Sequence, residues 1–178
     1  LLGCASVNSV GEAEPPVTPG TAAPEPSPSL AADVTLFENY GLTAAIPNEY
    51  IGKLIVMTEP EWEYLDDTTL ISVYEKRSYE ECRADYGEDA YAGFIFSIAR
   101  YTQVQYEEFL ASDGSGQSFF ARDGIYYYGW FFPTDVQFYR SGGVIDTESE
   151  DWKEWEKLND KCRDIKADFV VRNRLTPY

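Results

Sequence analysis

Acidic side chains are the groups in this chain whose type and number best suit them to chemistry. Two carboxyl groups held on either side of a glycosidic bond can hydrolyse it, one as the general acid and the other as base or nucleophile. The candidates are Glu59, Glu61, Glu63, Asp66, Asp67, Glu80, Glu81, Glu107 and Glu108. No sequence rule pairs any two of them, so we expect solvated surface or helix-start positions.

Other catalytic arrangements need residues that the sequence lacks. There is no histidine among the 178 residues, which excludes Ser-His-Asp and Cys-His systems and most zinc-hydrolase centres. Ser115 lies between two glycines with no base near it in sequence, and we interpret it as part of a flexible loop. No glycine-rich phosphate loop or dinucleotide fingerprint occurs. We therefore predict no catalytic residue, no cofactor and no metal ligand.

Two stretches bear on calcium. The pattern Asp113-x-Ser115-x-Gln117 matches the first three ligand positions of an EF-hand loop. The sixth position is Ser118 where glycine is expected, and the twelfth is Gly124 where glutamate is needed, which excludes an EF-hand. A low-affinity calcium site in the acidic turn at 59–67 stays open.

The aromatic stretch at 125–132 is the candidate for ligand binding. Alternate side chains of a strand face opposite sides of a sheet, so Tyr126, Tyr128 and Trp130 share one face. Both faces are apolar, which predicts a central strand. Two alternatives follow. In the first, a long helix covers the face of these three residues, and the helix at 102–112 or loops cover the other face. In the second, one aromatic face stays partly open. An open face would stack on a sugar ring or a peptide.

The elements that must position these residues follow from local patterns. The predicted strands cover 40–47, 53–57, 69–74, 92–100, 117–122 and 125–132, the last two joined by the hairpin signal Asp123-Gly124. Capping boxes predict helices that start at Ser78, at Thr102 and at Thr147. The last helix carries one apolar stripe, at Trp152, Trp155, Leu158, Cys162, Ile165 and Phe169.

These elements predict an α+β fold. We expect an antiparallel sheet of five to seven strands with a long C-terminal helix packed on one face. The folded domain spans 34–178, a length that can close a core of its own. Cys82 and Cys162 could form a disulfide in an exported protein, but Cys162 lies on the helix stripe, where a buried free thiol is the alternative.

The segment at 5–33 has the composition of a disordered tether. It holds six of the ten prolines and no aromatic residue, so it cannot bury enough apolar area to offset its ordering entropy. At about 3.1 Å per residue its reach approaches roughly 90 Å.

The chain also carries a net charge of −17, which repels phosphate backbones and argues against nucleic acid as a partner.

The tetrad Leu1-Leu2-Gly3-Cys4 resembles the lipobox of bacterial lipoproteins. Small Gly3 suits a cleavage position, and the two leucines suit the end of an apolar signal core. The resemblance implies that the Cys4 thiol is thioether-linked to a diacylglycerol and that the chain is cut just before it. Residues 1–4 would then be the end of the signal peptide and the lipidation cysteine. Two acyl chains anchor a protein stably.

The domain at 34–178 carries a second resemblance. Three motifs, Tyr-Gly-Leu-Thr-x-x-Ile-Pro at 40–47, Ala-Arg-Asp-Gly at 121–124 and Phe-Phe-Pro-Thr-Asp-Val at 131–136, are similar to an uncharacterised domain of Gram-positive cell-surface lipoproteins. The order of elements is similar to PsbP/Mog1-like α+β domains, where a strand ending in proline starts the fold. Neither resemblance implies site residues.

Together these patterns predict an extracytoplasmic lipoprotein, lipid-anchored to the cell membrane through Cys4, with a non-catalytic binding or scaffolding domain. The partners it would take are a cell-wall glycan, a peptide or an envelope protein. Two alternatives stay open: a carboxylate-dependent envelope enzyme acting on glycans, and a calcium-dependent structural module.

Overall fold

The computed structural model describes residues 33–58, 68–112 and 117–178. Within these ranges the chain forms an α+β fold, which confirms the predicted class. The strands are β1 (Val34–Asn39), β2 (Leu42–Pro47), β3 (Leu54–Met57), β4 (Thr69–Glu75), β5 (Phe94–Thr102), β6 (Gln117–Arg122), β7 (Tyr126–Phe131) and β8 (Thr176–Pro177). The helices are α1 (Asn48–Ile51), α2 (Lys76–Tyr86), α3 (Gln103–Ala111) and α4 (Glu150–Arg172).

Six of these strands form one antiparallel sheet in the order β3-β4-β5-β7-β6-β8, and β1 pairs with β2 in a separate hairpin. The six strands fall within the predicted five to seven. Strand β7 lies between β5 and β6, so the aromatic stretch is a central strand, as its two apolar faces predict.

Helix α4 covers one face of the sheet with its predicted stripe. Trp155, Leu158, Cys162, Ile165 and Phe169 are buried, and Trp152 is half-buried. The ring of Phe169 lies 6.2 Å from those of Phe120 in β6 and Tyr128 in β7. Burial of each large apolar side chain contributes about 1.5–3 kcal/mol, so the helix and the sheet stabilise one another.

The hairpin of β1 and β2 corrects the expected strand at 40–47. Tyr40 and Gly41 have φ of 51° and 76°, and two successive positive φ values form the turn of a hairpin, so the strand begins only at Leu42. The hairpin is joined to the end of α4 by Asn173, whose side chain accepts from Thr43 N and donates to Thr43 O, both at 2.8 Å.

Local capping decides where the helices begin. The predicted capping box of Thr102 and Gln105 is present at the start of α3. The other two predicted starts are wrong. Helix α2 begins after Glu75, whose carboxylate accepts from Ser78 N, and Ser78 itself is buried within the first turn. Helix α4 begins after Ser149, whose Oγ accepts from Trp152 N at 3.2 Å, so Thr147 precedes the cap.

The predicted hairpin at Asp123-Gly124 is confirmed. Strands β6 and β7 pair antiparallel on either side of it, and Asp123 Oδ1 accepts from the backbone N–H of Ile125 and of Tyr126 at 2.9 and 2.8 Å. Gly124 has a φ of 93°, which a residue with a Cβ adopts at a cost. Across the described ranges, no helix combines the length and the apolar character needed to cross a bilayer.

Candidate functional site

Several predicted site residues lie outside the described residues. They include Cys4, the acidic turn at 59–67, and Asp113 and Ser115 of the calcium-like pattern. The lipid on Cys4 and the calcium site therefore stay predictions. In the part of the chain that the structure describes, no cluster of three or more potential ligand side chains is arranged to hold a metal ion.

Tyr128 and Trp130 belong to the hydrophobic core. Tyr128 is 1% exposed and Trp130 6% exposed. The Trp130 indole stacks on Phe96 with ring centroids 4.1 Å apart, and the Tyr128 hydroxyl donates to Asp123 Oδ2 at 2.6 Å. Burial, together with the Asp123 carboxylate, raises the pKa of Tyr128. The expectation of an open stacking face at these two residues is therefore corrected: their side of the sheet is the side that α4 covers.

Tyr126, the third predicted binding residue, is half-buried at the end of the same strand face. The Arg100 guanidinium lies 4.9 Å from the centre of its ring and 3.5 Å from that of Tyr40. Such cation–π contacts are favourable within about 6 Å. The ring of Tyr126 thus already has a cationic partner, and a binding role for it stays a prediction.

On the opposite face of β7, α3 packs over Tyr127, while Phe131 at the end of the strand is 40% exposed. Tyr127 stacks on Tyr106 of α3 with ring centroids 4.0 Å apart and planes 2° from parallel. Tyr106 also meets Phe119 edge-on at 4.7 Å. Its hydroxyl shares a hydrogen bond with that of Tyr178, which raises the pKa of Tyr106 to about 12. Both faces of the aromatic strand are therefore used in packing.

A cleft between the first turns of α2 and α4 is the candidate site that the described structure offers instead. Its volume is about 240 Å³. It is lined by Gly52, Lys53, Glu75, Lys76, Arg77, Glu80, Arg140, Asp151, Glu154, Trp155 and Leu158. Four of these side chains are basic, four are acidic, and two large apolar ones supply a surface for a non-polar group. The cleft can therefore bind charged and apolar parts of one ligand.

Arg140 is the central residue of the cleft. Its Nη1 donates to Ser78 Oγ at 2.9 Å and to Glu75 Oε2 at 3.2 Å, and its Nε donates to Asp151 Oδ2 at 3.3 Å. The Arg140 side chain is only 14% exposed and that of Glu75 10%. Because Arg140 lies in the loop before α4 and Glu75 caps α2, this buried pair joins the two helices.

The remaining ion pairs of the cleft are exposed. Arg77 pairs with Glu81 and with Asp151, Lys53 pairs with Glu154, and Lys76 Nζ lies 3.8 Å from Glu80 Oε1. Side chains of Lys53, Lys76 and Arg77 are about half exposed. Exposed pairs of this kind contribute about 0–1 kcal/mol each, so these basic groups are easily redirected to a ligand.

The basic groups set the ionisation of two carboxyls. Burial alone would raise the pKa of Glu81, but the Ser141 N–H and the Arg77 guanidinium outweigh it and lower that pKa. For Asp151, burial is likewise outweighed by Arg77 and Arg140, and its pKa is lowered. A glycosidase needs a general acid with a raised pKa, so neither group supports that alternative.

This ionisation predicts a loss of stability in acid. Both carboxyls bind protons more weakly in the folded chain than in the unfolded chain. Their contribution to the free energy of unfolding is therefore complete above the usual pKa values, 4.5 for Glu81 and 3.8 for Asp151, and is lost as pH falls below them. We expect the free energy of unfolding, from urea titrations at pH 7, 5, 4 and 3, to fall mainly below pH 5. In the double variant Glu81→Gln, Asp151→Asn the fall should be shallower, and an unchanged slope would contradict this assignment.

Trp155 contributes an aromatic side chain to the lining of the cleft. The side chain is buried, and its indole Nε1 has no hydrogen-bond partner among the described residues. Ring contacts with Phe138 and Trp152 hold the indole in place. A buried N–H without an acceptor is costly.

Sequence reasoning missed this cleft because its parts are far apart in the chain. Arg140 and Glu75 are 65 residues apart, and no periodic pattern relates them. The available signal was the rarity of basic residues, since only 14 Lys and Arg accompany 31 Asp and Glu. In such a chain a lone arginine flanked by neutral residues is a candidate for a buried ion pair.

Of the two possibilities left open for the cysteines, the structure has the buried free thiol. Cys82 and Cys162 are both free and buried, on α2 and on the stripe of α4. Burial raises the pKa of the Cys162 thiol to about 12, so it is protonated at neutral pH and packs as a small apolar group.

Comparison of the chain with protein-family models, with curated proteins and with solved structures found no significant match.

Proposed function

We propose that this protein is a lipid-anchored lipoprotein of the bacterial cell envelope, held outside the cytoplasm by a diacylglycerol on Cys4, whose folded domain binds a partner without catalysing a reaction. The observation that carries the proposal is the Leu-Leu-Gly-Cys tetrad at 1–4 followed by an aromatic-free, proline-rich segment. The first described strand, β1, begins at Val34, directly after that segment.

The anchor and the spacer explain one another physically. Two acyl chains hold a protein at a membrane, and the proline-rich segment gives the domain a reach of up to roughly 90 Å from it. A domain tethered in this way meets cell-wall glycans, peptides and other envelope proteins at high local concentration. Its acidic surface keeps it clear of anionic headgroups.

The cleft supports a binding role for the domain. Its charged residues are arranged in pairs of opposite sign, and Glu81 beside it and Asp151 within it are held ionised by neighbouring arginines. Charged groups that are easily redirected, next to an apolar wall, are what recognition of a small polar ligand requires.

Metabolic labelling tests the anchor. We expect the protein, expressed in bacteria behind a secretion signal, to incorporate an alkyne fatty acid and to fractionate with membranes, and Cys4→Ser to lose at least about nine-tenths of both signals. The matched control is Cys82→Ser, because Cys82 is buried in α2 and its pKa is raised by burial, so it should keep full label. Equal labelling of Cys4→Ser and the wild type would refute the anchor.

A further inference from the structure

Basic side chains cluster at the cleft between α2 and α4. A neighbouring hollow of about 410 Å³ shares Lys53, Glu154 and Leu158 with it. The other residues that line this hollow are Glu150, Lys153 and Lys157. Together the two hollows are lined by six of the chain's 14 Lys and Arg and by five acids, although the net charge of the chain is −17. An anion is therefore repelled much less at these two hollows than over the rest of the acidic protein surface.

Two lysines stand side by side at this cleft. The backbone N–H of Lys76, the first residue of α2, donates to the carbonyl of Lys53, just before β3, at 2.8 Å, so the two residues are neighbours. Their partners are the exposed carboxylates of Glu80 and Glu154. Since such pairs are weak in water, both ammonium groups can turn to a bound anion while Arg140 stays with Glu75.

The backbone of the cleft favours the same sign of ligand. Lys76, Arg77 and Glu80 belong to the first turns of α2, and Asp151 and Trp155 to those of α4. The N-terminal end of a helix carries a partial positive charge. Residues from the first turns of two helices thus line one cavity, and at the start of α2 the Glu75 carboxylate already accepts from Ser78 N.

Trp155 and Leu158 form the apolar part of the cleft lining. An occupant with acceptor oxygens for the lysines and a small apolar body would cover these two side chains.

We propose that this cleft is a binding site for a small organic anion, a carboxylate or a phosphate ester, whose oxygens accept from Lys53 and Lys76 and whose apolar part lies against Trp155 and Leu158. A cavity of about 240 Å³ admits a compact molecule or the end of a chain. The proposal rests on the binding role stated above and specifies its ligand. It is independent of lipid attachment.

Nuclear magnetic resonance of the tryptophan indoles tests the site. The full chain with Cys4→Ser, labelled with ¹⁵N, has four tryptophans, and Trp155→Phe identifies the signal of Trp155. Phenyl phosphate and benzoate are titrated separately at constant ionic strength, with sodium chloride as the reference. We expect a saturable shift of the Trp155 indole with at least one anion, and the arm that saturates at lower concentration identifies phosphate or carboxylate.

Charge variants separate the site from general attraction. Replacing both lysines, Lys53→Gln and Lys76→Gln, should weaken binding about tenfold or more, because hydrogen bonds to charged groups are the strong ones. The matched control is Lys161→Gln with Lys166→Gln, which removes two charges from α4 outside the cleft and should leave affinity within about twofold. Equal weakening by both pairs, or a Trp155 signal that moves only as it does in chloride, would overturn the proposal.

Discussion

Replacing Arg140 with alanine is expected to destabilise the domain by about 3–5 kcal/mol, because the variant leaves the Glu75 carboxylate buried without its cationic partner. The Arg140 side chain also donates to Ser78 Oγ and to the carbonyl of Tyr139, and both acceptors lose that donor. Urea unfolding followed by tryptophan fluorescence measures the change. The loop before α4 should stay in contact with α2 in the variant, because the backbone N–H groups of Tyr139 and Ser141 still donate to Ser78 and Glu81 at 2.9 and 2.7 Å.

Two further variants isolate the charge from the packing. Arg77→Ala removes an exposed arginine of the same cleft and should cost about 1 kcal/mol or less. Adding Glu75→Gln to Arg140→Ala should recover part of the lost stability, because the unpaired buried charge is then gone. An Arg140→Ala variant as stable as Arg77→Ala would show that the buried pair does not hold the helices together.

The second large effect is expected at Gly93, where β5 begins. Gly93 has a φ of 78°, and a Cβ there would lie 2.5 Å from the carbonyl oxygen of Glu75 and 3.0 Å from Ser78 Cβ. Its backbone also accepts from Glu75 N and donates to the carbonyl of Gln137, both at 2.6 Å. We expect Gly93→Ala to cost about 3 kcal/mol or more, as strain from the positive φ adds to a clash with backbone.

Gly41 gives a matched control for that variant. Its φ is 76°, nearly the value at Gly93, but a Cβ there meets no atom of the described residues within 4 Å. Gly41→Ala should therefore cost only the conformational part, about 1 kcal/mol. Differential scanning calorimetry of both variants measures the difference, and equal melting temperatures would show that the close approach at Gly93 has been relieved by a shift of the chain.

The parts of the fold that the sequence predicted are those set by near neighbours in the chain. The capping box at Thr102, the hairpin at Asp123-Gly124 and the stripe of α4 each depend on residues a few positions apart, and all three are present. Helix α4 begins two residues later than predicted because Ser149, and not Thr147, lies where its hydroxyl can accept from the first turn.

The parts that were missed depend on distant residues. Tyr40 occupies a positive φ that disfavours most side chains, and its ring is covered by Arg100, which is 60 residues further along the chain. The aromatic pattern of β7 is compatible with a core strand and with a partly open face, and only the packing of α4 and α3 on its two sides distinguishes them. The cleft needs Glu75, Arg140 and Asp151 together, and only the folded chain brings them together.

Mass spectrometry of the N-terminal peptide shows whether Cys4 is lipidated, with the protein isolated from the membrane fraction of the cells that make it. We expect a peptide that begins at Cys4 and carries the added mass of a diacylglycerol on that residue, with Ala5 and the following residues unmodified. A peptide in which Gly3 and Cys4 are still joined and the Cys4 thiol is free would contradict it.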